Sequence, residues 1–400
     1  MATALATSLS NQRHAVQPLP RRALRVLTLT PFYPSQQNPA LGCFIAEPLL
    51  EMKAHAVETE VIAVQPFYRD VAHAIPAEVP AKWQRYFSFP GNFGLPFSGT
   101  LASRSLIGQL RQAHKQHPFD LIHAHSALPC GAAAMFLSQR LGIPLVVTVH
   151  GLDAYSTRQA GPVVGKWCES ISKRVYVSAS AVICISRKVQ AEVSQIADAR
   201  TVVVYNGVDT SLFSPGAERS PLTVLSVGNL IPSKGHAQLL HAFARIQPAA
   251  ADCALEIIGE GPQRKELQDL AAKLGINKRA RFLGRQSRDE VAEAMRRCAV
   301  FALPSSYEGL GCVYLEAMAS GKPAIGCTGQ GIDEIIESGR NGLLVAPESE
   351  SELAEVLIQL LRSKQLRQAL GMEARETVLT RYSIADQAAQ LAEVYRGCVR

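Results

Sequence analysis

Short apolar runs alternate along most of the chain with stretches in which apolar residues recur every three or four positions. Such runs are typical of buried parallel strands, and the second spacing is typical of helices that cover a sheet. The strands predicted in the first half are Leu24–Thr30, Val57–Val64, Asp120–His125, Leu145–Val149 and Ser180–Ile185. Those predicted in the second half are Leu222–Val227, Leu255–Ile258, Arg281–Gly284, Val300–Leu303, Pro323–Gly326 and Leu343–Val345. The pattern therefore predicts an α/β protein with two Rossmann-like halves and a cleft between them.

A turn-rich segment, Tyr205–Pro215, separates the two halves. We predict a first domain over residues 23–210, a second over 211–382, and a final helical segment over 383–400. Residues 1–22 show little periodicity and no acidic residue, and no apolar core follows the first methionine. This composition favours a flexible tail over a signal peptide, with a transit peptide as the alternative.

Residues 65–100 depart from the alternation because they are rich in aromatic residues, proline and glycine. We predict a long irregular loop here. It is either a flap that contacts substrate or a membrane, or a segment that covers a core.

The composition is that of a globular protein, with 47% apolar and 19% charged residues. No apolar run approaches the roughly 18 residues that span a bilayer. Nine cysteines occur without a C-x-x-C pair, which argues against a disulfide framework or structural zinc and for a reducing compartment. We therefore predict a cytoplasmic protein.

The net charge of +7 lies entirely in the first half. Residues 1–215 contain 19 Lys and Arg against 12 Asp and Glu, whereas residues 216–400 contain 22 of each. A basic half suggests an anionic partner, which could be an acidic membrane surface, a phosphorylated lipid or nucleic acid. The alternative is an ordinary solubility charge.

The segment Leu303–Gly321 carries the strongest candidate chemistry. Glu308 is predicted in a loop and Glu316 about two turns into the following helix, whose N-terminus would favour an anion. Carboxylates accept hydrogen bonds from vicinal diols, and diols combined with a diphosphate describe a sugar nucleotide. In the alternative interpretation, Glu308 caps the helix and Glu316 is solvated.

Polar residues also follow the predicted strands of the first half, where ligands of open α/β sheets bind. His123 and His125 end one strand, and His150 and Asp153 follow the next. We predict a site role for His150. Metal binding is the rival interpretation, but these residues lack zinc-ligand spacing.

The loop from Gly228 to Gly235 contains Lys234 and lies between a strand and a helix, as a phosphate-binding loop would. It is not a Walker A loop, and Gly259-x-Gly261 lacks the third glycine of a dinucleotide fingerprint. No Asp-x-Asp occurs to hold a divalent ion. Lys234 and helix N-termini would then have to meet the charge of a diphosphate.

Taken together, these segments resemble the motifs of the retaining glycosyltransferases of family 4, including enzymes of polysaccharide biosynthesis. Glu308 and Glu316, with seven residues between them, resemble the E-x7-E signature. The other matching segments are Val227–Gly235, Tyr205–Asp209, His150–Asp153 and Gly329–Pro347. The resemblance implies a GT-B fold with an N-terminal acceptor domain and a C-terminal donor domain. It also implies that residues 383–400 pack back onto the first domain.

The resemblance further implies roles for individual residues. Glu308 would contact hydroxyls of the donor sugar, Glu316 the nucleotide ribose, Lys234 the diphosphate, and His150 the sugar or the acceptor. The remaining expected donor-binding positions are Gly42, Asp153, Gly228, Asn229, Gly309, Leu310, Gly311 and Cys312. Asn229 stands where many members have an arginine, whose role would then fall to Arg187 or another cation of the first domain.

We therefore expect a metal-independent, retaining glycosyltransferase that uses a nucleotide-diphosphate sugar and no cofactor. The expected acceptor is a lipid-linked or polysaccharide precursor at the inner face of an anionic membrane, and no nucleic-acid partner is expected. The alternatives are a nucleotide-sugar epimerase and a non-catalytic partner in polysaccharide assembly.

Overall fold

A computed structural model describes residues 22–36, 38, 40–69, 79–151, 161–246 and 252–399. The first sheet has seven parallel strands in the order β3-β2-β1-β4-β5-β6-β7. These are β1 Leu24–Thr30, β2 Val57–Pro66, β3 Ala81–Tyr86, β4 Leu121–His125, β5 Leu145–Val149, β6 Ala181–Cys184 and β7 Thr201–Val203.

The second sheet has six parallel strands in the order β10-β9-β8-β11-β12-β13. These are β8 Thr223–Val227, β9 Ala254–Ile258, β10 Ala280–Gly284, β11 Val300–Ala302, β12 Ala324–Cys327 and β13 Leu343–Val345. All the strands predicted from the sequence form, with ends within two residues of the predicted ones. The prediction of two Rossmann-like α/β domains is confirmed.

Helices follow most of the strands and cover the sheets. The helices of the first domain are α1 Cys43–Glu51, α2 Leu95–Gln116, α3 Ala132–Leu141, α4 Pro162–Ser178 and α5 Arg187–Ile196. The later helices are α6 His236–Arg245, α7 Arg264–Lys273, α8 Arg288–Arg297, α9 Cys312–Ala319, α10 Glu350–Arg362, α11 Lys364–Arg381 and α12 Ile384–Val399. Among the residues described, we find no helix whose length and apolar content would let it span a lipid bilayer.

The central strands are apolar throughout because helices cover both faces of each sheet. Val26, Leu27 and Leu29 of β1 are fully buried, as are Val300 and Phe301 of β11. The strand order reverses direction between β1 and β4 and between β8 and β11, and ligands of open sheets bind beyond the carboxyl ends at such switch points. The loops after β1, β4, β8 and β11 are therefore the ones expected to build a site, and His123 and His125 lie at the end of β4.

The prediction of one irregular loop over residues 65–100 is wrong for two stretches that the structure describes. Ala81–Tyr86 forms the edge strand β3, and α2 begins at Leu95. The sequence does not predict this edge strand because three of its six residues, Lys82, Gln84 and Arg85, are polar and most of the strand is partly exposed, so it lacks the continuous apolar run of the central strands. Residues 70–78 of the predicted flap lie outside the described residues.

The C-terminal helix α12 returns from the second domain to the first. Tyr395 Oη lies 2.7 Å from His123 Nδ1, and Arg396 donates a hydrogen bond to the His55 carbonyl. Gln387 Oε1 accepts a hydrogen bond of 2.7 Å from the backbone N–H of Gly207, in the segment between the domains. The helix thus packs behind the strand ends that carry the histidines.

Candidate active site

Lys234 and Glu308 meet at the carboxyl ends of β8 and β11. The lysine ammonium forms a direct ion pair with the Glu308 carboxylate, and their side chains are only 13% and 11% exposed. Gly235, with φ of +71°, allows the two loops to approach, since a Cβ there would lie 2.0 Å from the Pro304 carbonyl oxygen. A hydrogen bond of 2.9 Å from Ser306 N–H to the Ser233 carbonyl joins the same two loops.

Two hydrogen bonds and a buried leucine hold the loop that carries Glu308 in place. Gln330 Oε1 accepts a 3.0 Å hydrogen bond from the Glu308 N–H, and the Glu308 carbonyl accepts one of 3.1 Å from Gly331. Leu310 is fully buried and Gly311, with φ of +83°, precedes α9. A Cβ at Gly311 would lie 2.6 Å from the Tyr314 ring, so this turn requires glycine.

Glu316 lies one turn into α9 rather than two, because the helix begins at Cys312. It is 4% exposed and forms an ion pair with Arg288. The Glu308 carboxylate pairs with Lys234, and within the described residues it accepts no hydrogen bond from the N-terminus of α9, so the alternative of a capping Glu308 and a solvated Glu316 is wrong. Both carboxylates are instead buried and paired with cations.

Arg288 is a site residue that the sequence analysis missed. Besides Glu316, its guanidinium contacts both carboxylate oxygens of Glu47, with Nε and Nη2 each 2.9 Å from one of them. Glu47 belongs to α1 of the first domain, so Arg288 bridges the two domains next to the candidate site. Its position in a Ser-Arg-Asp-Glu helix start is the only local signal, because a cation at a helix N-terminus is unfavourable without a carboxylate partner.

The histidines of the first domain form a buried, hydrogen-bonded group. His125 Nδ1 and His150 Nε2 are 3.0 Å apart, and His123 Nε2 lies 2.7 Å from Thr148 Oγ1. Burial lowers the pKa of His123 and of His150 to about 3 and that of His125 well below its usual value. His150 is therefore neutral at physiological pH, where its ring can form hydrogen bonds but is not a proton donor of ordinary acidity.

These histidines also line a small cavity of about 20 Å³, room for about one water molecule. Phe44 of α1 packs on the His150 ring with centroids 4.9 Å apart. No group of three or more His, Cys, Asp or Glu side chains in the described part of the chain is arranged to hold a metal ion.

The two domains touch where the backbone of His150 and Gly151 meets the Glu308 loop. A Cβ at Gly309 would lie 2.8 Å from the His150 carbonyl oxygen, and Tyr307 Oη lies 2.9 Å from the Gly151 carbonyl oxygen. Ser186 Oγ donates a 2.6 Å hydrogen bond to the Gly309 carbonyl. The backbone of His150 and Gly151 therefore contacts the Glu308 loop, whereas the His150 ring lies against His125 and Phe44.

A second contact between the domains lies at the N-terminus of α5. The carboxylate of Glu334 accepts hydrogen bonds of 2.8 and 2.7 Å from the backbone N–H groups of Arg187 and Lys188. Tyr205 Oη donates another, of 2.8 Å. Arg187 thus lies at this contact, with its side chain exposed.

The remaining predicted positions lie around the same loops. Gly42 precedes α1 with φ of +76°, and a Cβ there would lie 2.6 Å from the Phe32 backbone. Gly228 and the exposed Asn229 follow β8, and the Cys312 thiol accepts a 3.3 Å hydrogen bond from Asn206 Nδ2. Asp153 lies outside the described residues.

Comparison with known proteins decides the family. Residues 50–212 match the model described as Glycosyltransferase Family 4, and residues 208–377 match Glycosyl transferases group 1. An uncharacterized glycosyltransferase of Methanocaldococcus jannaschii is 33% identical over 258 residues, which are 64% of this chain and 70% of that protein. The chain belongs to glycosyltransferase family 4. This family 4 glycosyltransferase is also 32% identical to the D-inositol 3-phosphate glycosyltransferase of Corynebacterium urealyticum, over 73% of this chain and 75% of that one.

Solved structures confirm the GT-B architecture of this glycosyltransferase. Sucrose-phosphate synthase from Thermosynechococcus elongatus superposes with a TM-score of 0.76 at 20% identity, covering 93% of this chain and 98% of that chain. Anabaena HepE in complex with UDP-glucose superposes with a TM-score of 0.71 at 23% identity, covering 94% and 100%. At such identities the likeness concerns the fold alone. The predictions of a family 4 member and of a transferase are confirmed.

Proposed function

We propose that this glycosyltransferase moves a sugar from a nucleotide-diphosphate donor to an acceptor hydroxyl, without a metal ion and with retention of anomeric configuration. The buried pair of Lys234 and Glu308 at the switch point of the second sheet carries the proposal. An ammonium placed there can compensate a diphosphate, and a carboxylate beside it can accept hydrogen bonds from sugar hydroxyls. HepE, which shares the fold, has been solved with UDP-glucose.

In this proposal, donor binding replaces the ion pair between Lys234 and Glu308 with contacts of each side chain to the donor. The diphosphate takes the ammonium of Lys234, and the freed Glu308 carboxylate accepts hydrogen bonds from the sugar. Backbone N–H groups of the segment Gly309–Cys312 add to the positive potential around the phosphates. Glu316 binds the ribose, while Gly42, Gly228 and Asn229 belong to the loops around the donor.

Charge stabilisation, rather than acid catalysis, would drive the chemistry. The bond between the anomeric carbon and the phosphate oxygen breaks first, and Lys234 stabilises the negative charge on the leaving diphosphate. His150, neutral because burial lowers its pKa to about 3, hydrogen bonds to the sugar or acceptor without giving up a proton. The acceptor oxygen attacks the same face, and its proton goes to the departing phosphate.

Proton and phosphorus NMR of donor turnover tests this proposal. The protein is incubated in excess EDTA with uridine, guanosine and adenosine diphosphate sugars and a set of acceptors. We expect one donor to release its nucleoside diphosphate and give a product with the donor's anomeric configuration. Inversion, or activity that EDTA abolishes, would contradict the retaining or the metal-independent part. An epimerase would convert the donor without acceptor and release no diphosphate, and the relatives' names do not favour that function.

For the acceptor, we infer a lipid-linked or polysaccharide precursor at the cytoplasmic face of an anionic membrane. The first domain exposes aromatic side chains, among them Phe87 at 54% and Phe93 at 66%. Phe67 stacks on Phe87 at 5.2 Å, and Phe97 packs on Trp167 at 4.9 Å. Residues 81–180 contain ten Lys and Arg against three Asp and Glu, so Phe87, Phe93, Phe97 and Trp167 lie in a basic part of the chain. Aromatic rings beside cations are typical of surfaces that contact anionic lipid.

Co-sedimentation with vesicles tests this part separately. We expect binding to vesicles of phosphatidylglycerol at low salt and weaker binding to phosphatidylcholine. The double substitution Phe87→Ser and Phe93→Ser should reduce binding, whereas Met372→Ser, which changes a side chain 70% exposed in the second domain, should not. Equal loss in both variants, or no binding of the unmodified protein, would contradict the membrane proposal.

A further inference from the structure

The guanidinium of Arg288 links a carboxylate of the first domain to the proposed ribose-binding carboxylate of the second. It contacts both oxygens of Glu47 through Nε and Nη2, and Oε1 of Glu316 through Nη1. The three side chains are 18%, 21% and 5% exposed in the order Arg288, Glu47, Glu316. Planar two-point contacts of this kind fix the orientation of both partners.

Arg288 occupies a position that would be unfavourable without these carboxylates. It is the first residue of α8, where the partial positive charge of a helix N-terminus opposes a cation. Its guanidinium also lies 4.7 Å from the centre of the Phe213 ring. Burial opposes its charge, but the neighbouring carboxylates outweigh burial and raise the pKa of Arg288. The arginine is therefore held charged and in one place by its partners.

Glu316 is held through one oxygen only. Arg288 takes Oε1, and within the described part of the chain no side-chain hydrogen bond to Oε2 is seen. A carboxylate anchored in this way keeps lone pairs on the second oxygen for incoming hydroxyls, and little side-chain entropy is lost when they bind.

We infer that Glu47 is a positioning residue for the donor: acting through Arg288, it orients Glu316 toward the nucleotide ribose. The inference rests on the proposed function, since it takes Glu316 as the ribose contact. Because Glu47 belongs to the first domain, opening the cleft separates it from Arg288 and releases Glu316. Closure of the domains and binding of the nucleotide therefore favour each other, and by linkage the effect is reciprocal.

Ribose discrimination separates positioning from a merely structural role. Titration calorimetry first identifies which of uridine, guanosine and adenosine diphosphate binds best. It then compares that nucleotide with its 2′,3′-dideoxy analogue, which has the same base and phosphates. Hydrogen bonds to a carboxylate should make the unmodified protein prefer the ribonucleotide by about tenfold or more. We expect Glu47→Ala to lower this preference several-fold, and Glu47→Gln to lower it less.

Glu334→Gln is the matched control because Glu334 also bonds across the domain interface but does not contact Arg288 or Glu316. It should leave the ribose preference unchanged even if it weakens binding of both nucleotides. Thermal melts establish that each variant is folded, and Glu47→Gln serves if the alanine variant is not. An unchanged preference in a folded Glu47 variant, or an equal loss in Glu334→Gln, would overturn the inference. If no nucleoside diphosphate binds the unmodified protein, the proposed function fails instead.

Discussion

The ion pair between Lys234 and Glu308 provides a test in which stability and activity should respond differently. Its side chains are 13% and 11% exposed, so removing one partner leaves the other charge nearly buried and uncompensated. Breaking a fully buried pair in this way costs about 3–5 kcal/mol. Because some solvent reaches this pair, we expect about 2–3 kcal/mol for Lys234→Met and somewhat less for Glu308→Gln, whose amide can still accept a hydrogen bond.

The double variant should be more stable than the sum of these costs implies. With both charges removed, no buried charge lacks a partner, and the coupling between the two sites should be about 1–3 kcal/mol. Activity should not recover. Each single variant should lose about 10²-fold or more in kcat, and the double variant should be no better than the poorer single one.

Denaturation in urea must be followed by circular dichroism as well as fluorescence. The only tryptophans are Trp83 and Trp167, both in the first domain, whereas the ion pair lies in the second. Arg340→Met is a suitable control because the pairs of Arg340 with Glu337 and Glu373 are exposed to solvent, so their loss should change the free energy of unfolding little. Additive costs at the buried pair, or full turnover in Lys234→Met, would refute the reasoning.

Two further predictions concern the histidines and the glycine beside Lys234. Because the pKa of His123 and of His150 is about 3 when folded but near 6.5 when unfolded, the unfolded chain binds more protons between these values. The contribution of these neutral histidines to the free energy of unfolding should therefore be fully present above about pH 6.5 and should fall as the pH is lowered toward 3. The melting temperature of His123→Gln should depend less on pH over this range than that of the unmodified protein. Gly235→Ala forces a Cβ to 2.0 Å from the Pro304 carbonyl oxygen, whereas Gly142→Ala has the same positive φ and no atom within 4 Å. In denaturation experiments, we expect Gly142→Ala to lower the free energy of unfolding by about 1–2 kcal/mol. Gly235→Ala should lower it clearly more and should abolish turnover. Equal losses in the two variants would contradict the close approach of the two loops.

The sequence was sufficient to predict the strands at the centre of both sheets and both edge strands of the second sheet, but not the edge strands of the first sheet, Ala81–Tyr86 and Thr201–Val203. Segments such as Leu24–Thr30 are apolar because both faces are covered, and that leaves a signal in any short window. The edge strand Ala81–Tyr86 is half exposed, and α11 (Lys364–Arg381) buries only a narrow stripe of a mostly polar helix. Their structure depends on neighbours distant in the chain, so no local pattern marks them.

The same distinction holds at the candidate site. Lys234 and Glu308 each lie in a loop that contains glycines, which indicate that the backbone bends or passes close to another group. In the structure, the two side chains form an ion pair. No local sequence signal marks Arg288 as the partner of Glu316, because Arg288 is a single charged residue at the start of an ordinary capped helix. The other carboxylate that Arg288 contacts, Glu47, lies 241 residues earlier in the chain. Pairings of this length depend on how the domains close on each other, which neither spacing nor composition encodes.

Titration calorimetry in EDTA tests the central claim most directly, which is that Lys234, Glu308 and Glu316 together hold the nucleotide part and the sugar of one donor. The unmodified protein and Lys234→Met are each titrated with uridine, guanosine and adenosine diphosphates and with the corresponding sugar nucleotides. The account predicts that at least one of these binds the unmodified protein and that Lys234→Met binds it at least tenfold more weakly, as expected for loss of a charged phosphate contact. Equal affinity of the two proteins, or no binding of any nucleotide to the folded unmodified protein, would contradict it.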